Sequence, residues 1–262
     1  MRDLTIGSLI ARILFQPLEE TLRTVLSSVL SSPDRQPLDQ SFFLLRTLLK
    51  LYVLFSMIII AIIPPFIPSL ILPIFTILLG SDKYPPEALH PIIFAYLFYI
   101  PIMAINGVCE SFIASVATPR DLAKQSRAMV IFSIVFLGIS WALLKQVGLG
   151  AEALVWANCI NLANRITWSL RFINKWYKDR QKEPSWKEML PGLSSFVMSV
   201  AVGGNMHLWV FWDKGQSGWG KTIGVSVSSG LLLLIWMYVL FHSCADLDFF
   251  PRDSYLKRFG GL

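Results

Sequence analysis

Seven polar residues recur at helical spacing near the start of this 262-residue chain: Thr5, Ser8, Arg12, Gln16, Glu19, Arg23 and Ser27. Wound as an α-helix they fall within about 100° of arc, one stripe along an otherwise apolar rod. Pro17 sits in that stripe, where it leaves the carbonyl of Ile13 without its helical donor, and Glu20 lies to the side of it. Two later apolar stretches carry shorter stripes. Tyr99, Asn106 and Glu110 share one face with Gly107 beside them, and Asn158, Asn161 and Arg165 share another. Charged groups in such surroundings pair with each other or face a wet cavity, because hydrocarbon makes an isolated charge expensive. Amides there either hydrogen-bond a neighbouring helix or line a hydrated cavity. For Asn158 and Asn161 the interhelical bond is the favoured reading. For Arg12, Glu19, Glu110 and Arg165 it is a wet cavity. A Glu110–Arg165 or an Arg12–Glu19 ion pair would satisfy both, and spacing alone does not choose between them.

The elements that must carry these stripes are long and apolar. Hydrophobic residues make up 54% of the chain and charged residues 15%, against about 25% charged in an average soluble domain. Leu51–Ser81, Ala88–Cys109, Ala128–Leu144, Gly192–Trp212 and Thr222–Ala245 contain no Asp, Glu, Lys or Arg. About 20 apolar residues cross a bilayer as a helix. This excludes a soluble enzyme, a secreted disulfide scaffold and a disordered chain, and it predicts an all-α, polytopic membrane helix bundle. Seven crossings are expected, over Leu4–Leu30, Ser41–Ile63, Leu89–Ala117, Lys124–Lys145, Ala151–Tyr177, Gly192–Trp212 and Lys221–Ser243. Ser31–Gln40 reads as a polar linker. Pro64, Pro65, Pro68 and Pro73 break the second run, so Phe66–Leu79 is expected to be a short interfacial segment stopped by Gly80. Pro101 is expected to kink the third crossing.

Lys and Arg test this count. Membrane-end residues included, the successive connections hold Arg35, Arg46 and Lys50; then Lys83; then Arg120, Lys124 and Arg127; then Lys145. Arg171, Lys175, Lys178, Arg180, Lys182 and Lys187 follow, then Lys214 and Lys221, and finally Arg252, Lys257 and Arg258 in the tail. Alternate connections thus carry fifteen against four. That alternation is the positive-inside pattern, and it puts the C-terminus in the cytosol. A full crossing at Phe66–Leu79 would erase it. The expected organisation is a single membrane bundle over residues 1–262, with a basic cytosolic loop at 175–188 and a cytosolic tail at 244–262.

Several features invite a different chemistry. Gly215–Thr222 matches the phosphate-binding pattern GxxxxGK[ST], but that loop works only between a strand and a helix of an α/β domain. Here it is a glycine-rich turn between membrane segments, and no nucleotide is expected. The net charge of +6 belongs to cytosolic loops and not to nucleic-acid binding. Lys175–Lys187, interleaved with Trp176, Tyr177 and Trp186, reads as a cytosolic loop with interfacial anchors, or secondarily as an anionic-lipid contact. His90, His207 and His242 are isolated, and Cys109, Cys159 and Cys244 read as small buried apolar residues. No metal, cofactor or catalytic residue is expected.

Gly7–Glu20, GSLIARILFQPLEE, resembles the Rft family, through Arg12 followed by the FQPxEE block Phe15–Glu20. Ala104–Val108 with Glu110 looks like the family's AINGV-x-E block. Ala157–Asn161 with Arg165, Ile166 and Thr167 looks like its ANCxN…RIT block, and Leu48–Leu51 also fits. The blocks span Gly7 to about Lys178, and beyond that the likeness rests on hydropathy.

The resemblance implies a multipass protein of the endoplasmic reticulum, non-enzymatic, acting where a dolichol-diphosphate oligosaccharide passes to the lumenal leaflet for N-glycosylation. It is similar to the multidrug/oligosaccharidyl-lipid/polysaccharide exporter superfamily, in which two helix bundles form a V around a cavity. This chain corresponds to the C-terminal lobe, so the implied partners are the oligosaccharide lipid, membrane lipids and an N-terminal lobe or another subunit. Arg12, Gln16, Glu19, Glu20, Asn106, Glu110, Asn158, Asn161 and Arg165 are then the expected substrate-binding or gating residues. The alternatives are a non-transporting accessory protein of the dolichol pathway and an ion-coupled exporter using Glu19, Glu20 and Glu110.

Overall fold

The computed structural model describes residues 17, 19–28, 36–64, 67, 71–79, 85–182, 197, 199–204 and 234–239. Helices make up the regular structure among them: α1 (19–28), α2 (Gln36–Ile62), α3 (Leu72–Leu79), α4 (Pro86–Val116), α5 (Pro119–Lys145), α6 (Glu152–Lys178), α7 (199–204) and α8 (234–239). The chain divides into two units, Met1–Leu190 with α1–α6 and Pro191–Leu262 with α7 and α8.

Local chemistry sets the helix ends in the first unit. α2 stops two residues before Pro64, whose ring disfavours helical backbone in the residue ahead of it. α3 is only 8 residues, or about 12 Å, too short to cross a bilayer. This agrees with the short segment expected there. α4 begins on prolines and runs unbroken through Pro91 and Pro101 for 31 residues. Thr118 then caps α5 through a capping box. The Asp121 amide donates to Thr118 Oγ1 at 3.3 Å, and the Thr118 amide donates back to Asp121 Oδ2 at 3.3 Å. Gly148, at φ +73, makes the turn towards α6, a conformation that L side chains resist. α6 carries Glu152 in its first turn and Lys175 and Lys178 in its last, in the sense that complements the helix dipole. It therefore absorbs the first part of the basic stretch expected as loop.

Three of these helices are long and apolar enough to cross a membrane among the described residues: Leu38–Ile62, Glu87–Val116 and Pro119–Lys145. They match the second, third and fourth expected crossings. α6 matches the fifth in position but is the more polar helix. The expected sixth and seventh crossings, and much of the first, lie outside the described residues.

α4 is the central helix, packed against α2, α3 and α6, while α5 leans on α6. Near the α2 start, Leu22 and Leu26 of α1 meet Phe42, Leu45 and Leu49 of α2, Val108, Cys109 and Phe112 of α4, and Ile173 and Tyr177 of α6. Aromatic edges lock this layer: Phe42 and Phe112 both contact Tyr177, and the Tyr177 and Ser41 hydroxyls are hydrogen-bonded at 3.1 Å. Lys182 closes it by pairing with Asp39 and lying over the Phe42 ring. The far end of α2 (Ile59, Ile63) instead packs with Ile67 and the start of α4 (Leu89, Ile93, Leu97). α2 and α4 are therefore antiparallel, with α3 at their turn. α4 and α6 run parallel, since Phe98 meets Trp156 and Phe112 meets Trp176. These directions are the ones that alternate loop charges require if α3 does not cross.

α5 is nearly naked. Ser140 is its one buried residue, and Val130, Ile131, Ile134, Leu137 and Trp141 are exposed. In the second unit, Ser199 and Val202 are buried on α7 and Trp236 on α8.

Candidate functional site: a polar seam on the central helix

Arg165 stands at the mid-length of α6, thirteen residues from either end. Its Nε donates to Glu110 Oε1 of α4 at 3.1 Å, and its Nη2 donates to the same oxygen. Of the two ion pairs that spacing allowed, this one forms between described residues. Its side chains are 30% and 31% exposed, so the pair is reachable and not sealed in a core. On the same face of α6, Asn161 Nδ2 donates to Asn158 Oδ1 at 3.4 Å. That bond runs along the helix, while the Tyr99 hydroxyl of α4 stands against Asn158 and near Arg165.

Glu19 reaches the seam from α1. Its carboxylate lies on the bare backbone of Gly107: a β-carbon there would overlap Glu19 Oε1 and sit 2.7 Å from its Cδ. Glycine is thus required for this close approach. The Glu19 charge is repelled by those of Glu110 and Glu20, and it acts on Tyr52 of α2. Glu19 thus adds its negative charge beside the Arg165–Glu110 pair. Asn106, one turn before Glu110, is 5% exposed, and its Oδ1 has no donor among the described residues. Glu20 is exposed. Arg12 and Gln16 lie outside the described residues, as do Cys244, His207, His242 and the glycine-rich turn at 215–222. Cys109 and Cys159 are buried free thiols, in keeping with their apolar reading. Among the described residues no cluster of His, Cys, Asp and Glu could hold a metal ion.

Sequence reasoning did not single out Tyr52, or Gly107 as the seat of a carboxylate. It also counted Lys50 as a membrane-end cation. The structure buries Lys50 in α2, at 6% exposure. Its place four residues after Arg46 inside a run of leucines was the available signal.

The seam joins α1, which opens on the last two residues of the FQPxEE block, with α4 and α6, which carry the AINGV-x-E and ANCxN…RIT blocks. A family model described as Rft protein matches residues 4–246. The chain belongs to the Rft family. The Rft match runs well past Lys178, where the quoted blocks end. Among its relatives, the Man(5)GlcNAc(2)-PP-dolichol translocation protein RFT1 of Yarrowia lipolytica is 34% identical over 232 residues, 86% of this chain and 33% of the relative. The protein of that name from Saccharomyces cerevisiae is 33% identical over 231 residues, 87% of this chain and 39% of the relative. That from Xenopus tropicalis is 30% identical over 262 residues, 97% of this chain and 47% of the relative. The chain thus spans between a third and a half of the length of these Rft relatives. No solved structure matches it.

Proposed function

We propose that this chain is the C-terminal lobe of a protein that takes part in moving a dolichol-diphosphate-linked oligosaccharide across the endoplasmic reticulum membrane for N-glycosylation. The relatives' names support the substrate. The Arg165–Glu110 pair, about a third exposed in an otherwise apolar bundle and flanked by Glu19, is the observation that carries the reading. A sugar diphosphate cannot enter hydrocarbon unaided, whereas a polar seam can replace its hydration while the dolichol tail stays in lipid. No covalent step is needed.

In this reading the lobe has about seven crossings with its C-terminus in the cytosol, and an N-terminal lobe faces the seam across the cavity. Rocking of the two lobes gives alternating access. The Arg165–Glu110 pair is the latch: a diphosphate oxygen displaces Glu110 from the guanidinium, and closing restores the pair once the headgroup has left. Asn106, Asn158 and Asn161 offer amides to sugar hydroxyls, Glu19 and Glu20 line the α1 side, and Arg12 and Gln16 are the further binding or gating residues of this reading.

The test uses full-length Rft protein substituted at the positions equivalent to Glu110 and Arg165, in cells depleted of their own copy. Underglycosylation of a secreted reporter with Arg165→Ala, at normal protein levels, is expected. Full glycosylation with both Arg165→Ala and Glu110→Ala would sink the reading. Purified full-length protein in liposomes separates transport from an accessory role, according to whether it moves labelled oligosaccharide lipid.

A further inference from the structure

Lys50 and Arg165 hold matching positions on different helices and have opposite surroundings. Lys50 is twelve residues from each end of the apolar stretch Leu38–Ile62, about 18 Å from either end along the helix. Arg165 has Glu110. Lys50, buried to 6% exposure, makes no hydrogen bond or ion pair with any described residue. Glu110 is committed to Arg165, and the charges acting on Glu19 are those of Glu110 and Glu20. Thr47, three residues earlier and so beside Lys50 on the helix, is 5% exposed, and its Oγ1 has no partner among the described residues. Its hydroxyl does not turn back to its own helix, as those of Ser56 and Thr76 do.

An ammonium at the centre of a membrane helix is costly unless an anion meets it. Lysine beside a hydroxyl suits an anion with several acceptor oxygens, and lysine binds phosphate as a point charge from any direction. At this depth the phosphate must arrive on an apolar tail. We propose that Lys50, with Thr47, receives the diphosphate of a polyprenyl lipid midway through the membrane. The proposal rests on the translocation reading and adds a binding step on α2, away from the latch. A permanent carboxylate partner would hold the headgroup off. A lysine without one offers its charge only while the lipid passes.

The full chain in phosphatidylcholine nanodiscs tests this, with a long-chain polyprenyl diphosphate as the probe. Polyprenol and inorganic pyrophosphate serve as competitors. The native chain is expected to bind the probe, Lys50→Met to weaken binding about tenfold or more, and Lys50→Arg to keep most of it. Thr47→Val should weaken it less. Without ligand, Lys50→Met should melt no lower than the native chain, because it removes a mid-helix charge that no described residue balances. Native-like binding by Lys50→Met overturns the assignment while leaving the translocation reading intact. A lower ligand-free melting temperature for Lys50→Met also overturns it, since the lysine then has a standing protein partner. Equal displacement by pyrophosphate overturns the lipid-borne source. If the native chain binds no polyprenyl diphosphate, the translocation reading fails for this lobe, and the Lys50 step fails with it.

Discussion

Arg165 places two donors on one oxygen of Glu110, so its partner is fixed in direction as well as in charge. Removing one member strands the other. With both side chains about a third exposed, Arg165→Ala should cost about 1–3 kcal/mol, between surface and fully buried pairs. Adding Glu110→Ala should return much of that in a thermal melt, and additive losses would show that the two groups are not coupled. Gly107 predicts a different split. Gly107→Ala gains helix propensity of about 1 kcal/mol but evicts the Glu19 carboxylate. Its melting temperature should stay near native while reporter glycosylation by the full-length protein falls. Retained glycosylation would detach Glu19 from the site. At this scale the sequence offered Glu110–Arg165 and Arg12–Glu19 as ion pairs without choosing between them, since helical spacing fixes faces and not neighbours. Lys50 shows the same gap. A lysine at a membrane end and one inside look alike in a residue count, and only the start of α2 at Gln36 separates them.

Helix ends were the most legible features, because prolines and caps act over a turn. The Pro64–Pro73 cluster foretold a short α3, whereas the cap of Thr118-Pro119 with Asp121 went unread, and the start of α5 was expected later, at Lys124. Thr118→Ala should lower stability by about 1 kcal/mol and speed amide exchange in the first turn of α5. Unchanged exchange would mean that Pro119 alone sets the start. The order in space, α2 beside α4 and α4 beside α6, was not legible. Apolar faces say that a helix is buried without saying against which other one. The antiparallel sense of α2 and α4 was implicit in the loop charges, since alternation of Lys and Arg fixes direction.

The whole chain tests the same alternation. Single cysteines replacing Arg120 and Gln146, in a background without Cys109, Cys159 and Cys244, should react with an impermeant maleimide from opposite sides of sealed microsomes. Position 120 is expected to react from the cytosolic side. Labelling of both from one side would mean that α5 does not cross. The membrane class and the Rft family were readable from the sequence, because both rest on composition and contiguous blocks. The two-unit division was not, since it depends on long-range contact.

α5 has a further consequence, drawn from its bare flank. Its uncharged part, Ala128–Leu144, is 17 residues, about 26 Å along the axis. Arg127 and Lys145 close it at both ends. A hydrocarbon slab of about 27 Å accommodates that length upright, whereas one of about 32 Å drags a cation inward at one face or thins to meet it. With Ser140 alone buried, α5 has few protein contacts to absorb the mismatch. By length alone, α5 is matched to the thinner of these two slabs.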